Sequence, residues 1–541
     1  MVMRKIVAAT ALLLPVTQAA LADTAPPQPL PGLVATPPAA AAPATPVKLP
    51  SLHVRCDGEP PNMSDGESIA RLIGAVTLLG LFAPARESPD PDKRLFGAEG
   101  VAVCSQLLDG AKPEANGLRR LRLILARAIH WMEAKDYPAA LADVEKARSE
   151  AKALNLVGNA YFDQSFGLSF DLLGARATYL NGDAAAAREI GLRTAARTRF
   201  GFYPVMTAAY FSDALRTSSP AEDAALAARD RITAGFAQFH AMRLDELGKF
   251  AEAARLRDGL KIRLYNFNSE LTMSWLDATA GLSWALAGDW PRAEERIIRA
   301  KAMIDQADAD GKPDSDRANV IEVMDLYGVL KSFHDGHADD ARRSFGARSE
   351  WSAPSFGAIV ATTRLLRAGA TPGQLIGALA KTEDQLWKER EDKSRAYMLK
   401  RISGGKTEFN NIVSFSSVDE YEKVSRKVWK GDRTGVISKN PAKNSRYFML
   451  TPGSLEPIDA KVAPDALLLD AALIAKARGF KGFVYLRSNR TWSDTSVQFG
   501  NPGDPDMIDS FYLDADAVIA ELRQLIPSPE ELAARDKAGK R

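Results

Sequence analysis

Apolar residues recur with helical spacing over most of this chain. Through residues 118–400, leucine, alanine and aromatic residues return every three or four positions, which is typical of amphipathic helices. Short polar turns interrupt the pattern, and the best-formed turn is Gly288-Asp289-Trp290-Pro291. Pro291 stands where a first-turn proline loses no needed hydrogen bond. The pattern therefore predicts antiparallel helix pairs joined by short turns.

Related turns recur along the array at uneven distances. They centre on Tyr137, Ala184, Phe250, Trp290 and Ala338, which are 47, 66, 40 and 48 residues apart. The widest gap predicts one more hairpin, with helices at Phe202–Leu215 and Ala221–Ala234. Another hairpin is predicted after Trp351, with helices at Phe356–Arg367 and Pro372–Tyr397. We expect about six irregular pairs that stack on their neighbours.

The residues around the best turn carry a family resemblance. Gly281, Trp284, Ala293 and Ala300 flank it in an arrangement that resembles a tetratricopeptide repeat, and a unit with Ala128, Trp131, Tyr137, Ala140 and Ala147 is similar at the same spacing. The resemblance implies a right-handed superhelix whose groove binds peptides or proteins. A regular array of this family repeats about every 34 residues, so the longer spacing here predicts an irregular one.

The groove implied by the resemblance differs from the type that clamps a C-terminal carboxylate with Lys and Asn. The matching positions hold Leu125, Ile129, Leu172, Arg176, Gln238 and Met242. Four polar side chains remain as candidate groove contacts: Arg122, Arg176, Tyr179 and Gln238. The alternative is that these are ordinary solvated residues between packed helices.

The N-terminus has the three parts of a secretory signal. Arg4 and Lys5 precede the apolar run Ile6–Leu14, and Ala20-Leu21-Ala22 precedes a cut before Asp23. We predict a signal peptide at 1–22 and a Pro/Ala-rich linker at 23–50. The predicted location is periplasmic or secreted, in a Gram-negative bacterium. Cleavage of the signal and its retention as an anchor both stay open. No integral membrane segment is expected after cleavage.

The chain has two cysteines, Cys56 and Cys104. In an oxidising compartment an even pair usually forms a disulfide. The helical patterns Glu67–Phe82 and Gly97–Leu108 lie beside them. We therefore predict a disulfide-tied helical cap over residues 51–117, which covers the open end of the array.

The C-terminal part changes from helical to mixed patterning. We predict a linker with a short helix at 401–445, a small α/β domain at 446–527 and a disordered tail at 528–541. The predicted elements of the domain are strands Tyr447–Leu450, Phe483–Leu486 and Thr495–Phe499 and helices Pro464–Arg478 and Ala515–Leu525. This domain resembles a small α/β module of proteobacterial secreted lipoproteins, a resemblance that assigns no functional residues. The predicted fold class is thus mainly α: an irregular helical-hairpin array followed by a small α/β domain.

A loop after one predicted strand carries candidate ligand contacts. Its residues Arg487, Asn489, Arg490 and Trp492 have the chemistry to recognise an anion or a glycan at a strand end. The alternative is a surface loop with ordinary salt bridges.

The sequence contains few motifs that indicate catalysis. The sequence has no Gly-x-Ser-x-Gly elbow and no His-Glu-x-x-His zinc helix. His334 and His337 lie in a repeat turn, and Asp504, Asp506 and Asp509 fit no standard calcium loop. We predict no catalytic residue, no cofactor and no metal. The formal net charge of +2 argues against a nucleic-acid partner.

Two functions of different class follow. The first is an exported, non-catalytic scaffold or adaptor that binds an unidentified protein or peptide through the helical array. The alternative is an envelope hydrolase or a small-ligand or glycan-binding protein, with a site between the array and the α/β domain.

Overall fold

The computed structural model describes residues 49–61, 87–198, 200, 216–232, 234–267, 273–403, 408–413, 418–430, 447–450, 463–488, 495–504 and 507–539. The predicted signal peptide, nearly all of the Pro/Ala-rich linker, and the predicted helices Glu67–Phe82 and Phe202–Leu215 lie outside these residues. Internal contacts divide the chain into Met1–Ser51 and Leu52–Arg541. All elements below belong to the second unit.

Helices dominate the described residues. They are α1 Leu52–Asp57, α2 Gly97–Asp109, α3 Gly117–Glu133, α4 Tyr137–Ala153, α5 Ala160–Asp163, α6 Leu168–Leu180, α7 Ala184–Arg197, α8 Pro220–Ile232, α9 Ala234–Glu246, α10 Phe250–Phe267, α11 Ser274–Leu286, α12 Trp290–Ala309, α13 Arg317–His334, α14 Ala338–Gly346, α15 Phe356–Arg367, α16 Glu383–Ser403, α17 Val418–Lys430, α18 Ala463–Ala477, α19 Ala515–Leu522 and α20 Pro529–Gly539. The four strands are β1 Tyr447–Leu450, β2 Gly482–Ser488, β3 Thr495–Gly500 and β4 Tyr512–Asp514. The predicted class, mainly α with a small C-terminal α/β part, is confirmed.

Five helix pairs share one turn, which explains the repeated sequence signature. We number them pair 1 (α3 and α4), pair 2 (α6 and α7), pair 3 (α9 and α10), pair 4 (α11 and α12) and pair 5 (α13 and α14). In each, the N–H just before the second helix donates to the carbonyl five residues earlier, at 2.8–3.1 Å: Asp136 to Trp131, Asp183 to Thr178, Lys249 to Leu244, Asp289 to Trp284, and His337 to Ser332.

The turn needs one residue with positive φ. Gly182, Gly248, Gly288 and Gly336 fill this position in four pairs, with φ between 73° and 99°, and Lys135 fills it in pair 1 with φ 64°. Glycine adopts this conformation without steric cost. In pairs 1, 2 and 4 the next residue is an aspartate that caps the second helix (Asp136, Asp183 and Asp289). The sequence signature is therefore the local chemistry of this turn.

Small residues let the two helices of pair 4 approach closely. A Cβ added at Gly281 would lie 2.9 Å from Ile297 Cγ1 and 3.1 Å from the carbonyl oxygen of Ala293. Trp284 is buried beside this contact and donates its indole N–H to Asp258 at 3.1 Å. Close backbone packing thus holds the two helices of pair 4 together, and the Trp284 hydrogen bond joins pair 4 to α10 of pair 3.

The N-terminal cap is tied to pair 1 by a disulfide and by charge. Cys56 is bonded to Cys104, which joins α1 to α2. The adjacent Asp57 is fully buried and pairs with Arg119 and Arg122 of α3. Burial acts to raise the pKa of Asp57, but the hydrogen bond and charge of Arg119 outweigh it and hold the pKa below its usual value.

After pair 5 the chain turns back along the array. α15 packs on α9 so closely that a Cβ added at Gly357 would overlap the backbone of Asp245. The predicted helix Pro372–Tyr397 is wrong in its first third: two short 3-10 turns, Pro372–Gln374 and Gly377–Ala380, precede α16. Gly377 has φ +53° and leaves no room for a side chain against the carbonyls of Gly346 and Arg348, so a helix cannot pass through it.

The C-terminal sheet is antiparallel, with strand order β1-β3-β2-β4. Its strand β4 is additional to the three predicted strands. Phe483, Tyr485 and Phe499 share a core with α18 on one face, whereas Val484 and Leu486 share a core with Leu256 and Leu260 of α10. Because alternate residues of β2 enter both cores, the sheet packs directly on the array.

The end of the chain differs from the predicted disordered tail. Residues Pro529–Gly539 form α20, which contacts α17 and buries Leu532. Ser528 and Glu531 form reciprocal backbone hydrogen bonds of 2.8 and 3.4 Å, and Glu531 also pairs with Arg523 at 2.6 Å. This capping box starts a helix that composition alone did not suggest.

Candidate functional site: the groove of the first two helix pairs

The first helices of pairs 1 and 2, α3 and α6, hold a segment from much later in the chain. This segment, Glu408–Val413, begins with a 3-10 turn and is buried against both helices. We call it the groove segment. Four of its side chains, Glu408, Phe409, Ile412 and Val413, are at most 7% exposed.

A buried ion pair fixes the charged end of the groove segment. Arg176 of α6 contacts the Glu408 carboxylate with two nitrogens, Nη2 to Oε1 at 3.1 Å and Nε to Oε2 at 3.2 Å. The two side chains are 4% and 0% exposed. Asn411 also donates to Glu408 Oε2 at 2.9 Å. The Nε contact is a hydrogen bond and the Nη2 contact is an ion pair, so Arg176 holds both oxygens of the carboxylate.

An aromatic pocket holds Phe409. The guanidinium of Arg94 lies over its ring, 3.7 Å from the centroid, and the ring of His130 lies 5.4 Å away. His130 is itself fixed, because its Nε2 donates to the Cys56 carbonyl at 2.8 Å and its Nδ1 pairs with Glu133 at 2.9 Å. The disulfide-tied cap therefore helps to build the pocket for this side chain.

The apolar end of the groove segment is held through both backbone and side chain. The N–H of Val413 donates to Ser169 Oγ at 2.8 Å, and its side chain packs with Leu168 and Leu172. Ile412 joins the core of pair 1. A charge, an aromatic ring, aliphatic side chains and a backbone hydrogen bond are thus recognised together, as in complexes of folded domains with peptides.

The four predicted groove contacts do not converge. Arg176 binds Glu408, whereas Arg122 binds Asp57 at 2.9 Å and reaches Glu59 at 3.5 Å in the cap. Tyr179 is half-buried against Ala175 and Ala187 in pair 2, and Gln238 is half-buried on α9. The predicted C-terminal contacts Asn489, Arg490 and Trp492 lie outside the described residues. The backbone of Arg487 pairs with Ser496 just after a register shift in β2.

A second feature lies on the opposite side of α6. A cavity of about 470 Å³ opens between α4 and α7, with α6 as its floor. We call it the outer cleft. Its lining residues are Leu141, Val144, Glu145, Arg148, Phe170, Asp171, Gly174, Thr178, Ile190, Arg193 and Arg197.

Sequence reasoning missed the outer cleft and the groove segment. Two features of the sequence could have indicated the cleft. Arg193 and Arg197 are one helical turn apart, and Gly174 is a glycine inside an otherwise helix-favouring stretch. One feature could have indicated the groove segment: Leu125 and Ile129 are apolar at positions where a groove that clamps a peptide carboxylate would be polar. Both are fully buried.

The candidate histidine turn at His334 and His337 has structural partners. The His334 ring stacks on Trp290 with centroids 4.2 Å apart, and Asp335 pairs with Lys331 at 2.5 Å. Within the described residues, no three His, Cys, Asp or Glu side chains group closely enough to hold a metal ion. The same residues contain no helix that is both long and apolar enough to cross a membrane.

Comparisons with protein-family models, with curated proteins and with solved structures find no match to this chain.

Proposed function

We propose that this protein is an exported, non-catalytic scaffold whose tetratricopeptide-like helix pairs bind a peptide segment of a partner protein. The site is the groove of pairs 1 and 2. The predicted signal peptide and the Cys56–Cys104 disulfide support export, because such bonds persist in oxidising compartments.

The observation that carries the proposal is the groove segment. α3 and α6 already hold a stretch of chain through a buried Arg176–Glu408 pair, a pocket for Phe409 and a hydrogen bond that Ser169 Oγ accepts from a backbone N–H. None of these contacts requires that the stretch belong to the same chain. A partner that offers a carboxylate followed by an aromatic residue satisfies the same groups.

The partner must compete with the groove segment. A tethered segment has a high effective concentration, about millimolar for a short flexible connection. The apparent affinity of a partner peptide is therefore lower in the native chain than in a variant whose own segment binds poorly. This difference makes the proposal testable without knowledge of the natural partner.

A labelled peptide that copies residues 406–415 supplies the test. We would measure its binding by fluorescence anisotropy to the protein from Asp23 onward and to the double variant Glu408→Ala/Phe409→Ala. The variant leaves Arg176 and the Phe409 pocket without their internal ligand, so it should bind the peptide more tightly than the native chain.

Two controls make the result specific. A peptide with Ala in place of Phe409 should bind weakly, and Lys388→Ala, an exposed change on α16, should leave peptide binding as in the native chain. Failure of the double variant, folded by circular dichroism, to bind the peptide better than the native chain would rule out the groove as a peptide site.

The predicted alternative, a ligand site between the array and the α/β domain, has less support. Val484 and Leu486 of the sheet share a continuous core with α10, and the outer cleft lies within the array instead.

A further inference from the structure

We propose that the outer cleft is a second binding site, for a small organic monoanion with an apolar body, such as an aryl or alkyl carboxylate. The inference goes beyond the proposed function and is independent of the groove. It rests on the shape of the cleft, on its charges and on one glycine.

The cleft is large enough for a small ligand and is open to solvent on one side. Its volume of about 470 Å³ is within the usual range of small-molecule sites, about 300–1,000 Å³. Its apolar surface comes from three helices: Leu141 and Val144 of α4, Phe170 of α6 and Ile190 of α7. A flat or aliphatic ligand body would cover these side chains.

Gly174 opens the floor of the cleft. A glycine inside a helix lowers helix stability, and close packing often explains such a residue. Here packing does not, because the nearest atom to an added Cβ, Val144 Cγ1, is 3.7 Å away, which is an ordinary contact. The missing side chain instead leaves open volume beside Phe170 and Asp171.

The charges of the cleft are organised around Asp171. Its carboxylate accepts from Arg148 at 3.2 Å, from Arg197 at 3.0 Å and from the Thr194 hydroxyl at 2.9 Å. These contacts hold the two arginines at the rim with part of their hydrogen-bonding capacity unused.

Arg193 adds an uncompensated charge. It is exposed at the rim, one turn before Arg197, and forms no ion pair with any residue in the described ranges. The cleft therefore contains three arginines against two carboxylates, Glu145 and Asp171. One negative charge on a ligand balances this excess, whereas a dianion would be repelled by the same two carboxylates. This balance favours a carboxylate over a phosphate monoester.

The outer cleft and the groove use opposite sides of α6. At about 100° per residue, positions 168, 169, 172 and 176 face the groove segment, and positions 170, 171, 174 and 178 line the cleft. A ligand in the cleft therefore needs no displacement of Glu408–Val413.

Isothermal titration with 4-phenylbutyrate, on the protein from Asp23 onward, tests the site. The neutral 4-phenylbutanamide and the dianionic phenyl phosphate are the matched probes, and both should bind more weakly. Arg193→Gln should weaken phenylbutyrate binding by about two- to fivefold, the range for one exposed charge pair. Gly174→Leu should abolish binding, because its side chain fills the floor of the cleft.

Arg343→Gln, an exposed arginine on α14, is the control and should leave binding unchanged. If Gly174→Leu fails to fold, Gly174→Ala replaces it, because the added Cβ meets only ordinary contacts and the variant should fold. Its smaller side chain fills part of the cleft floor, so binding should be weakened and not abolished. The proposal is overturned by absence of binding at millimolar phenylbutyrate, by equal binding of the amide, or by unchanged binding in both the Arg193 and Gly174 variants.

Discussion

The buried Arg176–Glu408 pair gives the sharpest test of how the groove segment is held. We expect Arg176→Met and Glu408→Leu to be strongly destabilising alone and nearly harmless together. Both side chains are at most 4% exposed, so each single change leaves a charge buried with its partner removed. Such a loss typically costs about 3–5 kcal/mol, whereas exchange of the whole pair for apolar residues is often neutral or stabilising.

The structure refines these magnitudes. Glu408→Leu also removes the hydrogen-bond acceptor of the Asn411 side chain. The loss of this hydrogen bond adds about 1 kcal/mol to the cost of the single change, and the same cost is present in the double variant. We therefore expect the double variant to lie within about 1 kcal/mol of the native chain. Because each single change costs about 3–5 kcal/mol and the double variant about 1 kcal/mol, the coupling between the two sites should be about 5 kcal/mol or more.

Urea unfolding followed by circular dichroism measures the four stabilities. Hydrogen exchange of residues 408–413 then distinguishes local release of the groove segment from global unfolding. The exposed pair Arg364–Glu383 is the matched control, with side chains 66% and 32% exposed, and its cycle should give a coupling of at most about 1 kcal/mol. If Arg176→Met and Glu408→Leu cost no more than the control changes, and exchange at 408–413 is unaltered, the groove segment is not anchored by this pair.

Three further predictions concern stability. Gly174→Ala should raise the free energy of unfolding by about 0.5–1 kcal/mol in urea titrations, because it improves α6 without a clash; a loss of stability would mean that the cleft floor is tightly packed. Removal of the disulfide by Cys56→Ser/Cys104→Ser should cost about 4 kcal/mol for a separation of 48 residues, and an unchanged midpoint would contradict its structural role. Burial raises the pKa of Asp465 from 3.8 to about 7, although the hydrogen bond from Tyr421 opposes this. The folded state then binds the proton more tightly than the unfolded state, so stability should fall by up to about 4 kcal/mol as pH rises from about 4 to 7. Asp465→Asn should remove this slope, and an identical pH profile in the variant would refute the assignment.

Features set by neighbouring residues could be predicted from the sequence. The turn at Gly288-Asp289 needs only a positive φ and a capping carboxylate, and both are encoded within a few positions. The strand at Thr495 and the helix that ends before Gly479 were predicted for the same reason. The capping box at Ser528 and Glu531 was equally local, and it was overlooked because the charged composition of the tail suggested disorder.

The groove segment could not be found in this way because its partners are far away in sequence. Glu408 lies 232 residues from Arg176, and Val413 lies 244 residues from Ser169. No local pattern relates such positions. The apolar residues Leu125 and Ile129 indicated that the groove lacks carboxylate-clamping polar residues, but they did not identify what covers it.

The two proposed sites, on opposite sides of α6, would impose different requirements on a ligand. A peptide in the groove must replace the contacts of a tethered segment, including a buried ion pair and an enclosed aromatic ring. Its affinity therefore depends on how closely it reproduces Glu408 and Phe409. An anion in the outer cleft replaces only solvent and meets an arginine that has no ion pair among the described residues. Ligand selection should thus be strict in the groove, where internal competition penalises every missing contact, and broader in the cleft, where charge and size are the main criteria.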